Sequence, residues 1–199
     1  VNPQQQRNAN NTTTPSPPPA AATSTFVTNV ALLRERARNH IENGAVTDAY
    51  SLDRETAVKV LNEALATEIV CVLRYKRHYF MAAGIHSKMV AEEFLEHANE
   101  EQEHADEIAE RIVQLGGAPK LDPEGLSGRA HSEYIEGDDL VSMIREDLIA
   151  ERIAIDSYRE MIAYFGKGDP TTRTMLERIL AKEEEHAEDM ATLLQQVGA

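Results

Sequence analysis

The chain has 199 residues, enough for one domain with extensions and a sizeable buried core. Thirty-four acidic against twenty basic residues leave a net charge of −14, which disfavours direct binding to nucleic acid through the bulk surface and favours cationic clients. The single cysteine, Cys71, excludes an internal disulfide framework and any four-cysteine iron or zinc centre, and no apolar run reaches the roughly 18 residues of a membrane span. A cytoplasmic, reducing setting fits this composition, as does the lack of a signal-peptide apolar stretch.

Residues 1–25 form a Pro/Thr/Asn-rich tail with five of the eight prolines, one charge (Arg7) and no lysine. Such a composition buries too little apolar surface to fold alone and reads as a spacer or as an arm that docks on a neighbouring subunit. In the next segment, 26–52, Val30, Leu33, Ala37 and Ile41 recur at helical spacing, which predicts a short helix over Asn29–Asn43 that stops at Gly44 and packs outside the main body. Residues 53–199 then carry four long helical patterns. The first runs from Arg54, capped by Asp53, to Ala83 before Gly84; the second runs from after Ser87 to Gly116-Gly117. The third starts after Asp138 and ends at Gly166, and the fourth opens with Asp169-Pro170, an N-cap followed by proline at the first helical position. Short links make each pair an antiparallel hairpin, whereas the stretch Gly116–Gly137 is long enough to cross the length of a bundle. The expected fold is all-α: a four-helix bundle of two antiparallel hairpins joined by one long crossover, with an extra short N-terminal helix.

One pattern occurs twice on these helices. Glu68 precedes Glu101-Gln-Glu-His104 by 33 positions, and Glu151 precedes Glu183-Glu-Glu-His186 by 32. Glu-x-x-His puts both side chains on one helical face, where they reach one metal ion. Alone it is weak in a chain with 24 glutamates; the repeated partner glutamate at a near-constant offset gives it weight. Glu68 lies in the stripe Leu61, Leu65, Val72, Tyr75, Tyr79, and Glu151 in the stripe Ile144, Leu148, Ile155, Tyr158, Ile162, so both point where core residues belong. A buried carboxylate without a partner costs several kcal/mol, and neither stripe contains lysine or arginine. Metal cations supply the missing charge, and oxygen-rich ligation with one imidazole per ion suits iron or manganese better than structural zinc.

These residues resemble the bacterioferritin branch of the ferritin-like superfamily. The matching stretches are Leu61-Asn-Glu-Ala-Leu-Ala-Thr-Glu68 through Tyr75, Glu101-x-x-His104-Ala-Asp with Arg111-Ile and Gly117-x-Pro119, Asp147-Leu-x-x-Glu151, and Ile179-Leu-x-x-Glu183-x-x-His186. The resemblance implies a ferroxidase centre in each subunit with two iron ions, manganese or zinc being alternative occupants. Glu101 and Glu183 would bridge, Glu68 and His104 would complete one site, Glu151 and His186 the other. Tyr75 would lie beside the centre, as a partner in electron transfer or as a core tyrosine. It also implies Fe(II) and hydrogen peroxide or oxygen as substrates, Fe(III) mineral stored in a hollow shell, and protection against oxidative stress.

Three departures qualify it. Gln102 stands where the family has its haem-ligating methionine, so haem is not expected. The crossover is longer than in bacterioferritins, through Ser127–Tyr134, and only thirteen residues follow His186, too few for the fifth helix of 24-subunit shells. The last two features are similar to Dps-like proteins and favour a 12-subunit homo-oligomer over a 24-mer. Rival readings are a manganese catalase, a rubrerythrin-like peroxidase, which one cysteine disfavours, and a Dps-type DNA-coating shell, which the acidic, lysine-free character disfavours; nucleic acid and membrane are not expected partners.

Other residues have two readings each. Cys71 is a small core residue or a thiol facing the metals; His97 is structural, solvated or on an iron path. Glu96 and Glu100 are iron-collecting or plain surface charge, Glu92, Glu93, Glu184 and Glu188 are solvated, and Arg145, Arg152 and Arg159 are expected to form intersubunit ion pairs.

Overall fold

Helix boundaries follow from local chemistry at both ends of each segment. In a computed structural model that describes residues 27–197, six α-helices and no strand are present among the described residues. The tail 1–25 lies outside them. Helix α1 spans Val30–Arg36, α2 Arg54–Met81, α3 Ser87–Gln114, α4 Pro123–Arg129, α5 Leu140–Phe165 and α6 Pro170–Val197. The Asp53 carboxylate caps α2 by accepting from Thr56 N at 2.8 Å, Asp139 caps α5 reciprocally with Ser142, and Asp169 accepts from Thr172 N at 2.9 Å at the head of α6.

The four long helices, of 28, 28, 26 and 28 residues, form the expected bundle. Helix α2 packs on α3 and α5 on α6, and α2 with α5 and α3 with α6 close the remaining sides. Two apolar clusters fill the interior. Leu61, Leu65, Ile108, Ile112, Phe165 and Leu176 pack at one end, and Val90, Phe94, Ile144, Met190 and Leu193 at the other. Glu68, Glu101, Glu151 and Glu183 fall between these clusters along their helices, so the bundle encloses its charged layer at mid-length.

Two expectations are corrected. The helix expected over Asn29–Asn43 is broken: α1 ends at Arg36, His40 takes a left-handed conformation (φ 48°), and a separate 3₁₀ turn covers Ile41–Asn43. None of the α1 side chains is buried, so no packing offsets the break. The crossover, expected as a plain link, contains α4, whose Leu126 packs against Ala66 and Val70 of α2. The polar side of α2 holds this segment down. Asn62 accepts from Lys120 N at 2.7 Å, Thr67 accepts from His131 N at 2.9 Å, and Arg74 donates to the Glu133 carbonyl at 3.0 Å.

A buried charge cluster fixes the crossover side of α5. Arg74 donates to Asp147 at 2.7 Å, His78 Nδ1 lies 2.8 Å from the other Asp147 oxygen, and all three side chains are buried. Cys71 belongs to this cluster, 3.5 Å from the Arg74 guanidinium and 3.6 Å from the Ser132 hydroxyl. Burial outweighs Arg74 and pushes the thiol well above its ordinary value. Arg159 donates to Glu184 of the same chain at 2.7 Å.

Candidate metal centre

Each long helix delivers one glutamate to the middle of the bundle, and α3 and α6 each add a histidine one turn later. Glu68, Glu101, Glu151 and Glu183 are at most 1% exposed, and His186 equally so; His104 is at 8%. Their ligand atoms form two overlapping groups, Glu68, Glu101, His104 and Glu183, and Glu101, Glu151, Glu183 and His186, each with atoms within 4.8 Å of one another. Glu101 and Glu183 belong to both. His104 Nδ1 lies 3.4 Å from Glu68, 3.5 Å from Glu101 and 3.0 Å from Glu183, while His186 Nδ1 lies 3.3 Å from Glu101.

Seven buried atoms in this space lack a hydrogen-bond partner: Glu68 Oε2, both Glu101 oxygens, His104 Nδ1, Glu151 Oε2, Glu183 Oε1 and His186 Nδ1. Buried polar groups are otherwise nearly always paired, so this concentration needs a ligand to account for it. The atoms facing away from the centre are held. Tyr158 donates to Glu68 Oε1 and Tyr75 to Glu151 Oε1, so each of these glutamates keeps its Oε2 turned inward. His186 Nε2 lies 2.7 Å from Glu100, a contact that fixes the ring with Nδ1 facing the centre.

Electrostatics agree with a centre built for cations. Burial, then the Glu101 charge, pushes Glu68 up to about 8 and Glu151 up to about 7, and the same two causes carry Glu183 well above the carboxylate range. Burial acts on Glu101 in the same sense, but the close approach of Glu68, His104 and His186 outweighs it and holds Glu101 well below its ordinary value. His186 rises to about 9 and His104 rises further, since neighbouring carboxylates overcome the burial that disfavours their charge.

The structure brings all six predicted side chains together. Tyr75 stands beside them, hydrogen-bonded to Glu151 and accepting from His97 Nδ1 at 3.2 Å. Sequence reasoning missed Tyr158 as its counterpart. The signal was available, because Tyr75 follows Glu68 by seven residues and Tyr158 follows Glu151 by seven. Each tyrosine reaches across to the glutamate of the other helix. His97, left between roles, is buried and stacks on His186 with ring centroids 4.0 Å apart. Glu93, expected to be solvated, is half-buried beside it; Glu96 is exposed, and Cys71 sits with Arg74 and Ser132.

Comparison with known proteins gives a consistent set. A family model described as the ferritin-like domain matches residues 58–198. The nutrient stress-induced DNA-binding protein of Nostoc sp. is 35% identical over 150 residues, covering 72% of this chain and 81% of the relative. Bacterioferritin of Rhodobacter capsulatus is 30% identical over 139 residues, covering 68% and 80%. Among solved structures, the bacterioferritin-related protein of Bacteroides fragilis, described as a dodecameric thioferritin, superposes with a TM-score of 0.71 at 35% identity over 74% of this chain and 89% of that one.

Proposed function

The chain belongs to the ferritin-like domain family, and we propose that it takes up two Fe(II) ions at Glu68, Glu101, His104, Glu151, Glu183 and His186, oxidises them with peroxide or dioxygen, and stores Fe(III) inside a shell of its own copies. The observation that carries this reading is the convergence of seven unpartnered, buried ligand atoms on two overlapping positions. Glu101 and Glu183, common to both groups, are the bridging pair. Glu68 with His104, and Glu151 with His186, each complete one position.

Carboxylates suit Fe(II) and Fe(III) alike, and their charge favours the higher oxidation state. Reduction of hydrogen peroxide to two waters consumes two electrons and two protons, and a pair of Fe(II) ions supplies one electron each. Dioxygen accepts the same two electrons and two protons to give hydrogen peroxide. The chain's own contribution is placement. Tyr75 and Tyr158 hold the outer oxygens of Glu151 and Glu68, Glu100 orients His186, and the two apolar clusters limit water along the bundle axis.

A shell is supported by the relative described as dodecameric, and by exposed Phe80, Met81 and Ile85 around the α2–α3 turn, apolar surface that a subunit contact would cover. Haem is not part of the reading; Gln102 donates to Asp106 on its own helix and offers no thioether. A DNA-coating shell is the second reading, suggested by the name of the Nostoc relative, and the net charge of −14 predicts no gel shift at low salt. No helix among the described residues is long and apolar enough to cross a membrane.

Rapid mixing of Fe(II)-loaded protein with peroxide tests the activity. Oxidation should be fast in the wild type and slower by more than about tenfold in Glu151→Ala, the scale on which even an outer partner of a metal ligand acts. Oxidation no faster than in buffer would reject the ferroxidase reading.

A further inference from the structure

A third group of potential ligands stands outside the paired centre: Glu93 and His97 on α3 and Asp189 on α6, their ligand atoms within 4.8 Å of one another. His97 is only 2% exposed. Its hydrogen bonding fixes which nitrogen is available. Tyr75 spends its proton on Glu151, so the Tyr75 oxygen accepts from His97 Nδ1–H at 3.2 Å. Neutral imidazole then carries a bare lone pair on Nε2, and this atom points at Glu93, 3.5 Å away, and Asp189, 3.7 Å away. Both distances exceed the 2.7–3.2 Å, approximately, of an N–H···O bond. They sit near the separation of about 3.0–3.5 Å expected between donors around one ion with bonds of roughly 2.1 Å.

The charge balance points the same way. Among the described residues, no lysine or arginine pairs with Glu93 or Asp189; their one close basic neighbour is the neutral His97. The nearby Lys182 is engaged by Glu100 at 3.2 Å and Glu185 at 2.8 Å. Burial and the Asp189 charge push Glu93 above its ordinary value, as uncompensated negative charge would. A cation placed between this lone pair and the two carboxylates would turn their mutual repulsion into attraction.

We propose that Glu93, His97 and Asp189 bind a third divalent transition-metal ion, a staging site that feeds the His186 side of the paired centre. Two carboxylates and one imidazole repeat the donor chemistry of the centre itself, so the same cation fits both. Glu93 and Asp189 remain partly exposed, at 32% and 43%, and give solution access, while the His97 ring stacks on His186 at 4.0 Å. His97 therefore links an outer, wet site to an inner, dry one. The proposal rests on the paired-centre reading only for the destination of the ion; its ligands are separate residues.

The test is anaerobic Co(II) titration of the metal-free assembled protein, read by bound cobalt per chain and by visible absorption. Wild type should bind three ions per chain, and Glu93→Gln/Asp189→Asn two, with the spectrum of the paired ions retained. His97→Gln should also bind two. Glu151→Ala reports the inner centre separately, because it should reduce inner occupancy and leave the third site filled. Two ions in both wild type and the Glu93/Asp189 variant would overturn the third site while leaving the paired centre standing. Three ions in the carboxylate variant and two in His97→Gln would also overturn it, since His97 would then act only through His186 and Tyr75.

Discussion

Replacing Tyr158 by phenylalanine removes one hydroxyl and nothing else from the wall of the centre. That hydroxyl donates to Glu68 Oε1 in a site where Glu68 is 1% exposed, so no water replaces it. Burial and Glu101 hold Glu68 up at about 8, so at neutral pH the metal-free protein keeps this carboxyl largely protonated and loses little from the substitution. Metal binding requires the carboxylate, and there the lost hydrogen bond to a charged group costs about 1.5–3 kcal/mol. At about 1.4 kcal/mol per decade this is roughly a 10- to 150-fold loss in affinity for the ion held by Glu68 and His104. Outer-shell substitutions in metal sites act on the same scale, about 10- to 100-fold. Zn(II) titration against a chromophoric chelator, with Tyr75→Phe as the counterpart for the Glu151 side, measures it. Affinities for both ions within about threefold of wild type would refute the argument that the tyrosines aim these glutamates.

Stability should depend on pH with opposite character in the two metal states. Glu68 and Glu151 have folded values near 8 and 7 against an ordinary 4.5, so the folded chain keeps protons that the unfolded chain releases, and the metal-free protein loses stability as pH rises from about 4.5 through 8. His186, raised to about 9, extends the loss in the same direction, whereas Glu101, held low, contributes only below this window. Zn(II) displaces these protons and requires neutral His104 and His186, so metal-loaded protein should gain stability as pH rises from 6 to 8 while the unfolded imidazoles lose their protons at about 6.5; flat melting of the metal-free form over that range would contradict the assignment. In the buried Arg74–Asp147 pair, Arg74→Met alone should cost about 3–5 kcal/mol by stranding a charge, and Arg74→Met/Asp147→Leu should recover most of it in denaturant melts. A double variant as unstable as the single one would show that the crossover contacts, not the charge, dominate.

Much of the architecture is written locally in the chain. Asp53 and Asp169 mark helix starts, and Gly84 and Gly166 have positive φ at the hairpin turns, so periodicity and punctuation suffice to place four helices. The six centre residues were legible because a twofold repeat in sequence becomes a twofold arrangement in space. Tyr158 obeyed the same repeat at the same seven-residue offset and was overlooked only as one more core aromatic. Arg74, His78 and Asp147 carry no such repeat. Their pairing spans some seventy positions and depends on how α2 meets α5, which only the assembled bundle specifies. The same holds for His97, whose neighbours Glu93 and Asp189 come from two helices. α4 was hidden for a different reason: at seven residues with one buried side chain, it has too short an apolar pattern to register.

The most direct test of the central claim is anomalous scattering at the iron edge from crystals loaded anaerobically with Fe(II). The account predicts two iron peaks per subunit about 3.5–4 Å apart, flanked by Glu101 and Glu183, with Glu68 and His104 on one ion and Glu151 and His186 on the other. A single ion there, or iron bound only elsewhere on the acidic surface, would contradict it.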